Sequence, residues 1–270
     1  MKYVVQKGIA GLGNRLQGLG LALDIAHKHG ARLAVDWTDA KIWRMGFDPY
    51  FRIDGADLCD IVEIPEDTTA WPECWRGNIG GEFCRATMTQ TKHAPHRTAE
   101  TIVVCRYNSK HSDRLFRGIR LSAETERYLR TVMATERLAP GNYDLWHIRH
   151  TDKRTDGWRE WLGSAIEAQE STGIRSVVVT DSLQVQKVAH RLGLCCPSSI
   201  CDPLPGGGVH HADINDQAKH VVNMSAIADM WLAIKSRQFT ACCPSSTFSE
   251  FAERMRRVTG KGASHEDSHP

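Results

Sequence analysis

The chain has 270 residues, of which 41% are hydrophobic and 24% are charged, as in an ordinary globular protein with a substantial core. Its formal net charge of +2 is too small to indicate binding to nucleic acid or to a membrane surface by bulk electrostatics. No apolar run has the length of a membrane span, and the first residues lack the layout of a signal peptide. We therefore predict a cytoplasmic protein with no integral membrane segment and no nucleic-acid partner.

The first part of the chain predicts a β/α unit followed by an irregular stretch. In chain order, the patterns predict a strand at 3–6, a glycine-rich turn at 8–13, a helix at 14–29, a strand at 32–36, short strands at 61–64 and 101–105, and a helix at 121–138 that Ser122 would cap. A strand, a helix and a second strand in succession indicate a parallel sheet. Pro140 and Gly141 then break the chain, so we predict a first domain at 1–140.

The second part alternates strands and helices more regularly. In chain order, we predict a strand at 144–149, a helix at 157–170, a strand at 176–180, helices at 183–192 and 216–234, a strand at 239–243, and a helix at 247–257. This order predicts a second β/α domain at 141–258. The polar residues 259–270 predict a disordered tail.

Four polar motifs come at the carboxyl ends of predicted strands or in the turns that follow. They are Gly11-Leu12-Gly13-Asn14-Arg15, His147-Ile148-Arg149, Thr180-Asp181-Ser182 and Ser245-Ser246. In an open parallel sheet such ends line one crevice, where ligands bind. The Arg149 guanidinium suits phosphate oxygens, and Ser245, Ser246 and Thr247 lie where a helix begins, so they predict either an anion site or simple helix capping. Together these motifs predict a nucleotide-diphosphate site that needs no metal.

Several other interpretations stay open at this point. The first β/α unit ends at Asp36 and so imitates a dinucleotide-binding fingerprint, which makes a nicotinamide oxidoreductase one rival. Against this rival, the glycine spacing is the reverse of that fingerprint. A binding module without turnover is another. Nine cysteines without close C-x-x-C spacing predict reduced, mostly buried thiols. Two possible metal clusters are weaker patterns, Cys74 with Cys84 and His93, and His210 with His211 and Asp213.

These motifs, in this order and at this spacing, resemble the GDP-fucose-dependent fucosyltransferase superfamily, which includes α-1,6-fucosyltransferases and protein O-fucosyltransferases. The family's glycine-rich turn matches Gly11 to Arg15, and its donor-domain block of histidine, arginine, aspartate and lysine matches His147 to Lys153. The Thr180-Asp181 pair, the helical Asp229 and the Ser245-Ser246 pair follow in the family's order. The resemblance covers the N-terminal turn and most of 142–254.

The resemblance implies an α/β, GT-B-like fold, with two Rossmann-like domains facing across a cleft and a reduced N-terminal domain on the acceptor side. It implies that Arg149 binds the β-phosphate, that Asp229 faces the guanine, that Ser246 holds the pyrophosphate, and that Asp181 supports the nucleoside. The other donor-binding residues that it implies are Gly11, Gly13, Asn14, Arg15, His147, Asp152, Ser245 and Thr247.

The chain departs from the family block at His150, which replaces a second arginine and removes one permanent positive charge. Inversion at a sugar carbon needs a base for the acceptor hydroxyl. Asp156 stands one residue from the position of the base in the α-1,6 branch, so we predict Asp156 as the base, with His150 as its rival.

We therefore expect an inverting, metal-independent glycosyltransferase that needs no cofactor. Its expected donor is GDP-fucose, with another GDP-linked deoxyhexose as the alternative. The expected acceptor is a glycan or a lipid-linked sugar in surface polysaccharide assembly.

Overall fold

In the computed structural model, the described residues are 2–8, 11–37, 46–60, 63, 101–104, 111–150, 157–198, 215–243 and 245–260. The chain divides into two compact units, Met1–Ser122 and Ala123–Pro270, and each is described by itself. The predicted domain division after residue 140 and the predicted cleft between two domains stay predictions.

The first unit contains a parallel sheet and a small antiparallel pair of strands. Its elements are β1 (Tyr3–Lys7), α1 (Leu12–His29), β2 (Arg32–Asp36), β3 (Phe51–Ile53), β4 (Thr101–Val104), α2 (Arg114–Gly118) and β5 (Ile119–Leu121). The parallel sheet has the strand order β2-β1-β4, and β3 pairs with β5. The predicted β1-α1-β2 unit is therefore confirmed.

Helix α1 begins earlier than the sequence pattern predicts. Gly11 is its extended N-cap residue, so the helix starts at Leu12 rather than at Asn14. Gly13, Asn14 and Arg15 consequently lie in the first turns of the helix, and the glycine-rich turn ends at Gly11. The predicted end is confirmed, because Gly30 takes the left-handed conformation that stops a helix.

The ends of β1 and β2 are joined by a buried ion pair. The Nζ atom of Lys7 lies 2.5 Å from Oδ2 of Asp36, and both side chains are almost completely buried. A buried carboxylate requires a partner of this kind. This ion pair gives a structural role to Asp36, the acidic residue that imitated a dinucleotide fingerprint.

The second unit is built on one parallel sheet flanked by helices. Its elements are α3 (Ala123–Thr135), β6 (Tyr143–Ile148), α4 (Trp158–Thr172), β7 (Arg175–Thr180), α5 (Leu183–Arg191), α6 (Asp216–Lys235), β8 (Gln238–Ala241) and α7 (Thr247–Val258). The strand order is β7-β6-β8, and every residue of the central strand β6 is buried. Such a strand carries no alternation of polar and apolar residues, as expected when both faces of a parallel sheet are covered.

Two details of the sequence prediction are wrong. Leu121 does not begin a helix but pairs with Phe51 in the antiparallel β3-β5 pair, so helix α3 starts two residues later. The Ser122 hydroxyl donates to the carbonyl of Pro49, and its predicted role as a helix cap stays a prediction. Strand β8 ends at Ala241, so Cys242 and Cys243 follow it rather than belong to it.

A short turn follows helix α7. Thr259 and Gly260 form a turn, in which the Thr259 hydroxyl donates to the Met255 carbonyl over 2.8 Å. The remaining residues of the predicted tail, 261–270, lie outside the described part of the chain, as does the strand predicted at 61–64 apart from Glu63. Within the described residues, no helix combines the length and the apolar character needed to span a bilayer.

Candidate nucleotide-diphosphate site

The carboxyl ends of β6, β7 and β8 lie at one edge of the second sheet. The three strands are parallel, and the register pairs Ile148 with Thr180 and His147 with Ala241. Three of the four predicted motifs therefore come together at this edge, as expected for an open α/β sheet. The glycine-rich motif follows β1, which belongs to the sheet of the first unit.

Asp181 holds the segment that follows strand β6. Its Oδ2 lies 3.5 Å from the Nε atom of Arg149, and its Oδ1 accepts a hydrogen bond of 2.7 Å from the backbone N–H of His150. One carboxylate at the end of β7 thus fixes both the backbone and the guanidinium at the end of β6. The Arg149 side chain is 22% exposed, so it is fixed but not enclosed.

The imidazole of His147 is part of the interior of the sheet. Its Nδ1 forms a 2.8 Å hydrogen bond with the Ser249 hydroxyl, and its ring lies 4.5 Å from the ring of Phe248. Burial, with a smaller contribution from Arg149, lowers the pKa of His147 to about 3. The imidazole is therefore neutral at pH 7 and connects β6 to the first turn of α7.

The side chain of His150 packs near the start of helix α4. Its ring lies 5.5 Å from the ring of Trp158, the first residue of α4. The Nδ1 atom of His150 is buried, and no hydrogen-bond partner for it is found among the described residues. An unsatisfied buried ring nitrogen requires an explanation, and a ligand or reacting group is one.

Ser246 lies at the N-terminus of α7 without capping it. Its side chain is fully buried, makes no capping hydrogen bond, and has no hydrogen-bond partner within the described ranges. The first N–H groups of a helix lack acceptors within the helix and carry partial positive charge. Ser246 and the start of α7 therefore form a site suited to an anion. Ser245 is exposed beside it, and Thr247 is half-buried as the first residue of the helix.

Asp229 lies in the middle of α6 and is half-buried. Its Oδ2 accepts a 2.7 Å hydrogen bond from the hydroxyl of Ser198. Burial raises the pKa of Asp229 to about 7, against the smaller lowering effect of the Ser198 hydrogen bond. Near neutral pH this carboxyl can thus bind or release a proton at small cost.

In the first unit, the motif that follows β1 packs tightly. The Arg15 guanidinium is buried and lies 5.5 Å from the centre of the Trp37 ring. Gly8 leaves room for both side chains, because a Cβ atom there would overlap the Arg15 Nη1 and the Trp37 ring. The Oδ1 atom of Asn14 is buried, with no partner found in the described segments.

Solved structures of other proteins have the same fold. The NodZ α-1,6-fucosyltransferase soaked with GDP-fucose matches 94% of this chain and 92% of its own, with 19% identity and a TM-score of 0.68. Fucosyltransferase NodZ from Bradyrhizobium matches 93% of this chain and 92% of its own, with 19% identity and a TM-score of 0.65. This chain has the NodZ fucosyltransferase fold.

A third structure, a mutant of Arabidopsis thaliana FUT1 in complex with GDP, matches 94% of this chain and 69% of its own, with 14% identity and a TM-score of 0.52. No protein-family model and no curated protein sequence matches the chain. The NodZ-like fold confirms the predicted α/β class and its GT-B-like character. The roles of individual residues stay predictions.

Several predicted residues lie outside the described part of the chain. They are Asp152 and the predicted base Asp156, together with both possible metal clusters, namely Cys74, Cys84 and His93, and His210, His211 and Asp213. Within the described ranges, no three His, Cys, Asp or Glu side chains form a group that could hold a metal ion. The five described cysteines are free thiols, and all of them except Cys59 are buried.

Sequence reasoning missed two serines that form hydrogen bonds with predicted site residues. Ser249 binds His147, and Ser198 binds Asp229. Ser249 could have been found, since it lies three residues after Ser246, on the same face of the predicted helix. Ser198 follows a proline in a loop, and its sequence context gives no comparable signal.

The two shifted groups predict opposite effects of pH on stability. The depressed pKa of His147 contributes stability above its usual pKa of 6.5, and this stability is lost as the pH falls towards 3. The raised pKa of Asp229 contributes stability below its usual pKa of 3.8, and this stability is lost as the pH rises towards 7. Between pH 4 and pH 6.5 the two effects therefore offset each other.

Replacing Asp229 by asparagine should remove the pH-dependent contribution of Asp229 to stability and leave that of His147. We expect the free energy of unfolding of the variant to fall more steeply than that of the wild type on acidification from pH 6.5 to pH 4, by up to about 1.4 kcal/mol per pH unit. Urea unfolding at several pH values measures this difference. Parallel pH profiles for the two proteins would show that Asp229 titrates normally.

Proposed function

We propose that this chain transfers fucose from GDP-fucose to a hydroxyl group of a glycan-type acceptor. The reaction inverts the anomeric centre and uses protein groups, rather than a metal ion, to stabilise the diphosphate. The observation that carries the proposal is the position of Arg149 at the carboxyl edge of the second sheet, in a chain that has the fold of a fucosyltransferase solved with GDP-fucose. The same proposal includes the acceptor, which is a sugar that is free or linked to lipid, and it places the reaction in surface polysaccharide assembly.

The diphosphate of the donor would bind between Arg149 and the start of α7. Arg149 is oriented by Asp181, and a guanidinium can donate to two phosphate oxygens at once. The Ser246 hydroxyl and the first N–H groups of α7 would receive other phosphate oxygens. As the bond between fucose and phosphate breaks, negative charge accumulates on GDP, and these fixed donors stabilise it more strongly than water does.

The guanine base would bind at Asp229. Guanine presents an N1–H and a 2-amino group side by side, and an ionised carboxylate can accept from both. The pKa of Asp229 lies near 7, so the carboxyl changes charge in the pH range where it would meet the base. The other donor-binding residues of the proposal are Gly11, Gly13, Asn14, Arg15, His147, Asp152, Ser245 and Thr247.

The acceptor hydroxyl needs a base, and two residues are candidates. Asp156 follows the donor block, and His150 has a buried Nδ1 for which no partner is found among the described residues. If Asp156 is the base, we expect Asp156→Asn to lower turnover about 10²-fold or more without changing the affinity for GDP. His150→Gln is the matched comparison. Unchanged turnover in Asp156→Asn would remove that residue from the role and leave His150.

A calorimetric panel tests the donor directly. We expect GDP and GDP-fucose to bind, and GDP-mannose, UDP-glucose and NAD to bind more weakly or not at all. Binding of UDP-glucose or NAD alone would contradict the proposal. GDP formed from GDP-fucose, and the anomeric configuration of the product by NMR, then separate a transferase from a binding module without turnover. An identical rate in the presence of a chelator is expected for a reaction without a metal.

A further inference from the structure

Ser198 lies beside the carboxyl end of strand β7. The segment that leads to it runs parallel to β7, with the Val178 N–H donating to the Cys195 carbonyl over 2.8 Å. At the end of this segment the Ser198 hydroxyl accepts a hydrogen bond of 3.4 Å from the N–H of Thr180. Ser198 therefore lies at this edge of the sheet, in contact with Thr180, the residue that precedes Asp181.

The hydrogen bonds of Ser198 fix the direction of its hydroxyl. A backbone N–H can only donate, so the contact with Thr180 uses an oxygen lone pair of Ser198 and leaves the hydroxyl proton for Asp229. The backbone of Ser198 is also held, because the Gln186 amide donates to its carbonyl over 2.6 Å. With only 4% of its surface exposed, Ser198 has little freedom to turn away.

We propose that Ser198 is a positioning residue, which holds the carboxylate of Asp229 so that it receives the guanine base of the donor. The inference rests on the proposed function. Ser198 is the hydrogen-bond partner found for Asp229 within the described part of the chain. It connects Asp229 on α6 to the end of β7, the strand whose Asp181 orients Arg149.

The chemistry of guanine explains what this contact provides. A carboxylate has about two lone pairs on each oxygen. Ser198 occupies one lone pair of Oδ2 and so restricts the plane of the group, while at least one lone pair on each oxygen remains for the N1–H and the 2-amino group. A protonated carboxyl would instead direct an O–H against the guanine N1–H. Since the serine hydroxyl favours the ionised form, it also favours the state that binds guanine.

Within the described ranges, few charged groups influence Asp229. Cys196 interacts with it electrostatically from the same segment as Ser198, and burial raises the pKa of that thiol, which keeps it neutral at pH 7. Other charged groups contact α6 at its two ends. His220, near the start of α6, contacts Glu124 of α3, and Arg256 of α7 binds carbonyl groups at the end of α6. Among the described residues, burial and the hydrogen bond from Ser198 are therefore the main influences on the pKa of Asp229.

Calorimetric titration of Ser198→Ala with GDP and with inosine diphosphate tests this role. Inosine diphosphate lacks the 2-amino group, so it reports how well the carboxylate meets the base. We expect Ser198→Ala to bind GDP about tenfold more weakly at pH 6.5 and to lose most of the preference for GDP over inosine diphosphate. At pH 8.5 the difference should narrow, because a larger fraction of Asp229 is ionised at the higher pH, with or without the serine.

Three variants separate positioning from general destabilisation. Ser176→Ala is the matched control. Ser176 lies at the opposite end of β7, and its hydroxyl donates a buried 2.7 Å hydrogen bond to the carbonyl of Ala165. The variant should therefore be less stable but should keep the preference for GDP over inosine diphosphate. Ser198→Thr keeps a hydroxyl and should restore GDP binding to within about threefold. In an Asp229→Asn background, Ser198→Ala should have no further effect on GDP affinity, because Ser198 acts through Asp229.

The outcomes distinguish this inference from the proposed function. If the wild type does not bind GDP, the proposed function fails, and the role of Ser198 fails with it. If the wild type binds GDP but Ser198→Ala binds both nucleotides as the wild type does, the inference alone is wrong. An equal loss for both nucleotides at both pH values would also overturn it, since that pattern describes a distorted site rather than a misplaced carboxylate.

Discussion

Replacing Arg149 by alanine is expected to lower the rate at which GDP is formed from GDP-fucose about 10³-fold. The guanidinium is held by Asp181 at a distance of 3.5 Å and is 22% exposed, so it is fixed before any donor binds. A fixed cation beside the leaving diphosphate stabilises the charge that develops there, whereas water would have to reorganise around it. The affinity for GDP should also fall, by about tenfold or more, because the product carries the same phosphates.

Two further variants and a control make the Arg149 result specific. Arg149→Lys keeps the charge but lacks the planar fork, so we expect it to recover only part of the activity. Asp181→Asn keeps the arginine but weakens its orientation, and should be less damaging than Arg149→Ala. Arg130→Ala removes an arginine whose side chain is 67% exposed and should behave as the wild type. Activity of Arg149→Ala within tenfold of the wild type would exclude the role.

The second large effect concerns stability and lies at the opposite end of the second unit. Arg256 is buried, and its guanidinium donates to the carbonyl groups of Ala233, Ser236 and Arg237 over 2.7 to 3.0 Å. These carbonyl groups belong to the last turn of α6 and to the connection with β8, where a helix leaves acceptors unsatisfied. We expect Arg256→Leu to lower the free energy of unfolding by about 3–5 kcal/mol, because several buried acceptors lose their donor together.

Urea unfolding measures this effect, and the neighbouring residue provides the control. Arg257 is exposed on the same helix, so Arg257→Leu should change the free energy of unfolding by less than about 0.5 kcal/mol. Arg256→Lys should be intermediate, since one ammonium group cannot reach all of the acceptors. A loss below about 1 kcal/mol in Arg256→Leu would mean that water replaces the guanidinium at little cost.

The candidate site shows what local patterns can predict and what they cannot. Arg149, Asp181 and Ser246 were predicted because strands that are parallel bring their carboxyl ends to one edge, and short-range patterns suffice to identify those strands. The burial of His147 was not predicted, because β6 is apolar on both faces and its sequence does not tell an inward side chain from an outward one. Ser198 was missed because its hydrogen bonds depend on a segment that runs beside β7.

The fold shows the same division. Helix α1 and strands β1 and β2 were predicted nearly to the residue, because apolar spacing and Gly30 mark them locally. Strands β3 and β5 were not predicted. Each has only three residues, and they pair across a long stretch of chain, so their pairing is tertiary information. The same pairing draws Leu121 into a strand, although its helical spacing with the following residues predicts otherwise.

Amide hydrogen exchange with and without GDP is the most direct test of where the nucleotide binds. We expect slower exchange in the presence of GDP at residues 148–150, at 181–182 and at 246–249, which lie at or after the carboxyl ends of β6, β7 and β8. Protection confined to the first unit, at residues 2–8 and 32–37, with the edge of the second sheet unchanged, would contradict it.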